Sequence, residues 1–348
     1  MDLQIAAILF QDGIANGAIY TMLALGFVLI FTTTRIIFAS YGDLIALSVL
    51  TLHALQSGRL PGTAVLVVML AILVTAAEAW SLVRLGEFRK LPRAVSTWLI
   101  LPLLPVAACF FLRHELPYAG QIALTVALVM PIAPLLYRLV FQPIERASTL
   151  TLLIVALVLH YVIAGFTLLT FGAEGVRTAG SVTGQVDISS ISIGIQVIVF
   201  VLVATSLATG LALFFSFTVS GKALRATAYN SEGARLVGIS TRGSAVFAFL
   251  LAGAIAAIIG ILIGPTITIY YDSGLMIGLK GFVGAVLGGF VSYPLAALGS
   301  VLVGLVEAYA SFSASSYKEI IVFLSIIPIV LLRWIGARHD VEDEEEPA

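Results

Sequence analysis

Long apolar runs separated by short polar intervals dominate the pattern of this chain. We compared each run with the roughly 20 residues that an α-helix needs to cross the hydrocarbon core of a bilayer. The two short runs, 39–56 and 274–292, are also compatible with re-entrant or broken helices, because Pro and Gly are tolerated where neighbouring helices satisfy the backbone. In total the pattern predicts eleven candidate spans, at about 10–34, 39–56, 61–83, 94–112, 119–141, 149–171, 190–217, 243–264, 274–292, 295–311 and 319–335.

Composition supports the interpretation of these runs as membrane helices. The chain is 60% hydrophobic and 11% charged, whereas a soluble domain has about 25% charged residues. The net charge of −1 and the lack of basic patches with interleaved aromatic residues give no indication of nucleic-acid binding. We therefore predict an all-α, polytopic membrane protein with about 8–11 transmembrane helices, in which residues 1–335 form one membrane domain and residues 336–348 form an acidic cytoplasmic tail.

The distribution of Lys and Arg predicts the orientation of the chain in the membrane. With eleven alternating spans, thirteen of the 18 cations fall on one side. The positive-inside rule makes that side cytoplasmic, so the N-terminus is expected outside and the C-terminus inside. The thirteen residues are Arg35, Arg84, Arg89, Lys90, Arg93, Arg138, Arg146, Lys222, Arg225, Arg235, Arg242, Arg333 and Arg338.

The polar interval Thr218–Arg242 lies between two apolar runs on the cation-rich side. Within it, Ser231 is a candidate N-cap, Glu232 falls in the first turn, where the helix dipole favours an anion, and Gly238 is placed to end the helix. These signals predict a short capped helix, Ser231–Val237, in a loop between two membrane spans. The apolar side chains that it is expected to expose to a groove on a soluble partner are Ala234, Leu236 and Val237.

The chain lacks the sequence signatures of catalysis. It contains no G-x-x-x-x-G-K-[ST] phosphate loop, no HExxH or GxSxG motif and no paired carboxylates. Its four histidines are scattered and Cys109 is its single cysteine, so we expect neither a metal site nor a cofactor. We predict that the protein is not an enzyme and does not hydrolyse ATP itself.

Three polar residues at membrane depth are candidates for a translocation pathway. A charged side chain at a helix centre costs about 2.5–3.5 kcal/mol on insertion scales, so it needs a structural or functional reason. Asp43 follows Gly42 in a short segment and either lines a pathway or lies in water near the cytoplasmic end. Lys280 either lines the pathway or extends its amine outward. Asn16 presents its amide either to the pathway or to a neighbouring helix.

Several segments resemble the permease subunits of branched-chain amino acid ABC importers. The stretch KALRATAYNSEGARLVGI at 222–239 is similar to their cytoplasmic loop with its E-A-A-x-x-x-G heptad, and here Gly233 replaces the middle alanine. The segment 38–47 resembles an N-F-A-H-G-[ED]-like segment and departs from it at Ser40 and Tyr41. Further similar segments, in the same order as in the family, are 13–31, 137–148 and 278–309. The interval 62–117 is longer than expected and looks like an extra helical hairpin.

The resemblance implies a type II-like importer permease fold in the bacterial inner membrane. It also implies a second, paralogous permease subunit, two ATP-binding subunits and a periplasmic substrate-binding protein as partners. The substrates implied are branched-chain or related hydrophobic amino acids; urea, amides or small carboxylates remain an alternative within the same transporter class. An ion-coupled secondary transporter is a further alternative, which would require no partner. The residues implied to couple to the ATPase are Ser231, Glu232, Gly233, Ala234, Arg235, Leu236, Val237 and Gly238, with Arg235 either pairing with an acid on the ATPase or exposed to solvent.

Overall fold

The computed structural model describes residues 3–112, 116–180, 184–188, 191–325, 327, 328 and 331. The predicted tail at 336–348 and residues 326, 329, 330 and 332–335 of the predicted span 319–335 lie outside these residues. The α-helices of the described part are α1 (Leu3–Thr34), α2 (Tyr41–Gln56), α3 (Gly62–Arg84), α4 (Leu91–Val95), α5 (Leu101–Leu112), α6 (Tyr118–Val129), α7 (Ile132–Leu136), α8 (Thr149–Phe171), α9 (Ile195–Phe217), α10 (Val219–Tyr229), α11 (Ser231–Leu236), α12 (Thr241–Ile263), α13 (Ser273–Leu287), α14 (Tyr293–Ser313) and α15 (Lys318–Leu324).

Short irregular turns connect some of these helices into longer rods. A π-helical turn at Ser96–Ile100 joins α4 to α5, and a second one at Tyr137–Phe141 follows α7. Three-residue 3-10 turns are found at Phe88–Lys90, Gln142–Ile144 and Ser315–Tyr317. The described residues also contain one antiparallel hairpin, in which β1 (Gln185–Ile188) pairs with β2 (Ile191–Gly194) directly before α9. The sequence pattern had not predicted this hairpin.

Eight helices in the described part of the chain are long and apolar enough to cross a membrane. The chain is thus an all-helical, multi-pass membrane protein, as its composition predicted. Eight is the lower end of the predicted range, and eleven separate spans are not found among the described residues. The eight spans are Ile5–Thr34, Gly62–Arg84, Phe88–Phe111, Tyr118–Ile144, Thr149–Phe171, Ile195–Phe217, Thr241–Ile263 and Tyr293–Ser313.

The two short apolar runs form helices that are shorter than the sequence pattern predicted. Helix α2 has 16 residues and α13 has 15, which at 1.5 Å per residue gives about 24 and 22 Å, less than the roughly 30 Å of a hydrocarbon core. After α13 the chain turns through Gly289 and Phe290, which both have positive φ. Whether α2 and α13 cross the bilayer fully therefore stays an open prediction.

The chain divides into two compact units. The first unit comprises Met1–Val28, Val182–Thr209 and Lys280–Ala348, and the second comprises Leu29–Ser181 and Gly210–Leu279. The prediction of one membrane domain over residues 1–335 stays a prediction.

Helix α2 is the buried centre of the second unit. Fourteen of its 16 side chains or glycines are buried, and it packs against α12, α6, α8 and α3. Polar side chains of α2 hydrogen bond to backbone carbonyls of α12: the Tyr41 hydroxyl donates to Ala252 O at 3.2 Å and the Ser48 hydroxyl to Ala257 O at 2.8 Å. Because lipid offers no competing partners for buried hydroxyl groups, these bonds fix α2 against α12.

In the first unit, helices α1 and α14 approach each other closely at glycines. A Cβ atom at Gly304 would lie 2.5 Å from Gly13 O and even closer to the backbone of Gly17. The Thr21 hydroxyl donates to Ala297 O at 3.3 Å in the same helix pair. Such small-residue contacts are typical of membrane helix pairs, in which close backbone approach provides the packing energy.

We expect Gly304→Val to destabilise the protein, because the new side chain meets backbone atoms of α1 that cannot rotate away. Overpacking of this kind costs about 1–3 kcal/mol or more. The measurement is the free energy of unfolding in detergent. The matched control is Gly165→Val in α8, where a Cβ atom would have no neighbour within 4 Å; an equal loss in both variants would contradict the proposed packing role.

Candidate functional site

The predicted cytoplasmic loop contains two helices, α10 and α11, between the spans α9 and α12. The Thr218 side chain caps α10 by accepting a hydrogen bond from Gly221 N at 2.9 Å. The N-cap of α11 is Asn230, whose Oδ1 accepts from Gly233 N at 2.9 Å. The prediction that Ser231 is the cap was therefore wrong by one residue, because Asn230 retains extended backbone (ψ 101°) while Ser231 already belongs to the helix.

The end of α11 at Gly238 follows the prediction. Gly238 has φ +86°, a left-handed conformation that glycine adopts cheaply. Its N–H donates to Arg235 O at 3.0 Å, and Ile239 N donates to Ala234 O at 2.9 Å. This is the bonding pattern of a Schellman motif, which satisfies the last carbonyls of the helix.

Helix α11 presents an apolar surface composed of two residues. Leu236 is 89% exposed and Val237 is 75% exposed. Ala234 had been predicted to be exposed with them, but it is 4% exposed and faces the protein. The difference arises because α11 packs on both α10 and α12, which cover one face of a six-residue helix. Glu232 and Arg235 are exposed.

Side-chain hydrogen bonds join the loop helices to α12. Arg235 Nε donates to Thr241 Oγ1 at 3.0 Å, and Thr227 Oγ1 of α10 donates to Ser244 Oγ at 3.3 Å. Ser240 caps α12 through a bond from Gly243 N at 3.1 Å. Helix α12 in turn packs along the buried α2.

A pocket of about 330 Å³ lies beside α11. Residues within 235–242 line one side of it, and Glu145 and Arg146, in the segment that follows α7, line the other. Arg242, at the start of α12, lies 3.4 Å from Glu145 across this pocket. Arg146 and Arg235 also line it. Exposed apolar and cationic side chains are therefore concentrated around α11.

Asp43 is buried in the second unit and paired with His160. Asp43 is 2% exposed, and its Oδ1 lies 2.8 Å from His160 Nδ1. Its Oδ2 has no hydrogen-bond partner within the described residues. Backbone contacts of Gly42 with Gly274 bring the first turn of α13 against this site. Asp43 is therefore buried in a helix interface.

Lys280 is held in the first unit by two carboxylates. Its Nζ contacts Glu307 Oε1 and lies 3.3 Å from Glu319 Oε1. The Tyr20 hydroxyl also donates to Glu307. Asn16 is half-buried in the same unit. The role of Asn16, Asp43 and Lys280 in a translocation pathway stays a prediction.

Sequence reasoning did not identify several residues that organise these sites. Ser40 and Tyr41 are the positions where the chain departs from the family segment, and both hydrogen bond to neighbouring helices: the Ser40 hydroxyl donates to Ala156 O at 2.6 Å. Glu78 pairs with Arg138, although 60 residues separate them. The departure from the family pattern at Ser40 and Tyr41 and the apolar surroundings of Glu78 were visible in the sequence. The partners of these side chains were not, because helix pairing is not encoded in local spacing.

Comparison with known families decides what class of protein carries these features. Residues 116–331 match the sequence profile described as the permease component of the branched-chain amino acid transport system, which is more than half of the chain. The chain belongs to this permease family. The matched region begins at residue 116, at the end of the long interval 62–117, and includes the whole of α10 and α11.

Individual relatives agree with the family match. The chain is 29% identical over 214 residues to the high-affinity branched-chain amino acid transport system permease protein LivH of Escherichia coli K12, covering 59% of this chain and 70% of the relative. It is 32% identical over 165 residues to BraD of Pseudomonas aeruginosa, covering 46% of this chain and 54% of the relative. No solved structure matches the chain.

Family membership makes this permease a membrane subunit of the ABC importer class. A permease component is a non-catalytic subunit, and membership implies partner subunits in an ABC transporter complex. Within the described residues, no group of three or more His, Cys, Asp or Glu could hold a metal ion.

Proposed function

We propose that this permease forms the pathway for branched-chain or related hydrophobic amino acids and is driven by separate ATP-binding subunits that bind α11. The observation that carries the proposal is the placement of α11: a capped helix between two spans, with Leu236 and Val237 exposed and Ala234 packed inward. Buried apolar anchors are the usual centre of a protein interface. Ser231, Glu232, Gly233 and Gly238 shape the helix and its ends, and Arg235 supplies a cation at the edge.

The mechanical part of the proposal follows from the contacts of α11. Closure of the ATP-binding subunits would displace α11, and the bonds from Arg235 to Thr241 and from Thr227 to Ser244 would carry the displacement to α12. Packed helices have discrete arrangements rather than a continuous range of shapes. Alternating access in permeases of this kind then needs helices that rock between two such arrangements.

The orientation and the remaining partners belong to the same proposal. The positive-inside rule supports a cytoplasmic α11. The proposed periplasmic N-terminus requires α2 to cross the bilayer as well, because six of the eight spans precede α11. We propose that a second permease subunit completes the pathway and that a periplasmic binding protein delivers the substrate. The amino-acid substrate is supported by similarity to LivH and BraD, whose names state branched-chain amino acid transport. The interval 62–117 is proposed to be a helical hairpin added to the permease domain.

The test is uptake by proteoliposomes that contain the permease together with the ATP-binding subunits, second permease and binding protein that co-purify with it. We expect uptake of radiolabelled leucine that requires enclosed ATP and the binding protein. Parallel samples receive urea, acetamide or benzoate, and a further sample contains the permease alone with an ion gradient. ATP-driven uptake of urea, acetamide or benzoate without leucine would contradict the substrate, and gradient-driven uptake by the permease alone would contradict the transporter class.

A further inference from the structure

We propose that a cationic pocket beside the loop that contains α10 and α11 binds the phosphate of an anionic phospholipid headgroup. The pocket has a volume of about 520 Å³, a size typical of small-molecule sites. One wall is a single face of α3 near its C-terminal end, and the opposite wall is the segment that follows α7, closed by Arg242 at the start of α12. All of these residues belong to the second unit.

The charges lining the pocket leave an excess of one cation. Its ionisable lining residues are three arginines and two glutamates: Arg138, Arg146, Arg242, Glu78 and Glu145. Arginine side chains remain charged at any physiological pH. The excess of one positive charge complements the single negative charge of a phosphodiester such as that of phosphatidylglycerol.

The three arginines are not equally available. Arg138 is held by Glu78 and Gln142, and its guanidinium lies 5.7 Å from the centre of the Trp98 ring. By contrast, the Arg242 side chain is 63% exposed, and its contact with Glu145 Oε1 is long, at 3.4 Å. Arg146 is exposed and makes no salt bridge within the described residues. Arg146 and Arg242 therefore have N–H groups available for a ligand, and planar guanidinium groups suit the geometry of phosphate oxygens.

The surroundings of the pocket favour a lipid over a soluble anion. Helix α3 is a candidate membrane span whose outward side chains include Leu73 and Trp80, 46% and 64% exposed. The Arg84 guanidinium lies 5.1 Å from the centre of the Trp80 ring. Exposed tryptophan and arginine at the end of a span are typical of the membrane–water interface. Basic pockets between membrane helices on the cytoplasmic side are suited to phosphorylated headgroups.

The predicted extra hairpin supplies part of this pocket. Glu78 of α3 and Trp98 both lie in the interval 62–117 and both hold Arg138. A lipid bound here would also contact Arg242, which belongs to the helix that carries α11. The interval 62–117 would then connect the lipid environment to the loop that contains α10 and α11.

The experiment measures lipid binding by the full-length protein, purified with its associated subunits, by native mass spectrometry. The probes are dioctanoyl phosphatidylglycerol and dioctanoyl phosphatidylcholine, with inorganic phosphate added as a competitor. We expect phosphatidylglycerol to bind more tightly than phosphatidylcholine, and the double variant Arg146→Gln/Arg242→Gln to weaken phosphatidylglycerol binding by about tenfold or more, because two charge-assisted contacts are lost. The control, Arg89→Gln/Arg93→Gln, removes the same charge outside the pocket and should bind phosphatidylglycerol as the unmodified protein does.

Three outcomes would overturn the proposal. One is equal phosphatidylglycerol binding by the pocket variant and its control. Another is displacement of phosphatidylglycerol by millimolar inorganic phosphate, which would assign the pocket to a free anion. The third is loss of the ATP-binding subunits from the pocket variant with lipid binding unchanged, which would assign the arginines to a protein partner. Lipid binding is measured without transport, so it is independent of the proposed substrate and coupling.

Discussion

Replacing Leu236 and Val237 together by aspartate is expected to abolish ATP-driven uptake and to remove the ATP-binding subunits from the purified complex. Both side chains are exposed in the chain alone and would be buried in the proposed docked state. Docking would then bury two carboxylates without partners in an apolar interface, which costs several kcal/mol. A loss of about 4 kcal/mol corresponds to roughly a thousandfold in affinity. Co-purification and proteoliposome uptake both measure the effect.

Leu85→Asp is the matched control for this double variant. Leu85 is 69% exposed in the turn after α3, on the side that the cation distribution places in the cytoplasm. It should retain the ATP-binding subunits and transport. Retention of both functions by the Leu236→Asp/Val237→Asp variant would contradict docking at α11. A charge at Ala234 would be a less informative change, because Ala234 is buried and its replacement would damage the packing of α11 itself.

Replacing His160 by leucine is expected to destabilise the protein by about 3–5 kcal/mol. The change removes the imidazole that faces Asp43 Oδ1, and Asp43 Oδ2 already lacks a partner among the described residues. A buried carboxyl group would then remain with no hydrogen-bond donor in a helix interface. Adding Asp43→Asn should recover part of the loss, because a buried amide costs less than a buried carboxylate. The measurement is the free energy of unfolding in detergent.

Val162→Leu provides the control for His160→Leu, since it changes a nearby residue of α8 that is 61% exposed. It should leave stability within about 0.5 kcal/mol of the unmodified protein. If His160→Leu were equally harmless, the Asp43–His160 contact would contribute nothing to the stability of the second unit. Unchanged uptake in a destabilised His160→Leu variant would assign the pair to packing rather than to the pathway.

The membrane helices could be predicted largely from the sequence, because lipid requires long uninterrupted apolar helices. Prediction was weaker where apolar runs were short. The run 39–56 began two residues too early in the prediction, because Ser40 is the N-cap of α2 and the helix contains the 16 residues Tyr41–Gln56. The run 190–217 began too early in the prediction, because the apolar residues of the β1–β2 hairpin precede α9 without a polar break.

Helix α11 shows which parts of a site local chemistry determines. Gly238 could be predicted as its end because the closing turn requires a positive φ. The cap was assigned to Ser231 although Asn230 is an equally good capping residue, and sequence alone does not rank two adjacent candidates. The burial of Ala234 depends on packing against α10 and α12, which helix periodicity cannot reveal in six residues.

Paired charges could not be predicted because they depend on tertiary contacts. Lys280 pairs with Glu307, 27 residues away, and Asp43 with His160, 117 residues away. Each residue was recognised as costly within a membrane, but its partner was not. Glu78 is a further case. Its pairing with Arg138 links the interval 62–117 to the segment 137–148 after α7.

A single cysteine in place of Leu236 tests most directly whether α11 is a cytoplasmic docking site for the ATP-binding subunits. The chain has one cysteine, Cys109, which is buried, so Leu236→Cys in a Cys109→Ala background gives one reactive thiol. We expect a membrane-impermeant maleimide to label it in inside-out vesicles but not in intact cells, and a short bis-maleimide to cross-link it to a cysteine-bearing ATP-binding subunit. Labelling from outside intact cells, or inside-out vesicles that give no such cross-link, would contradict the account.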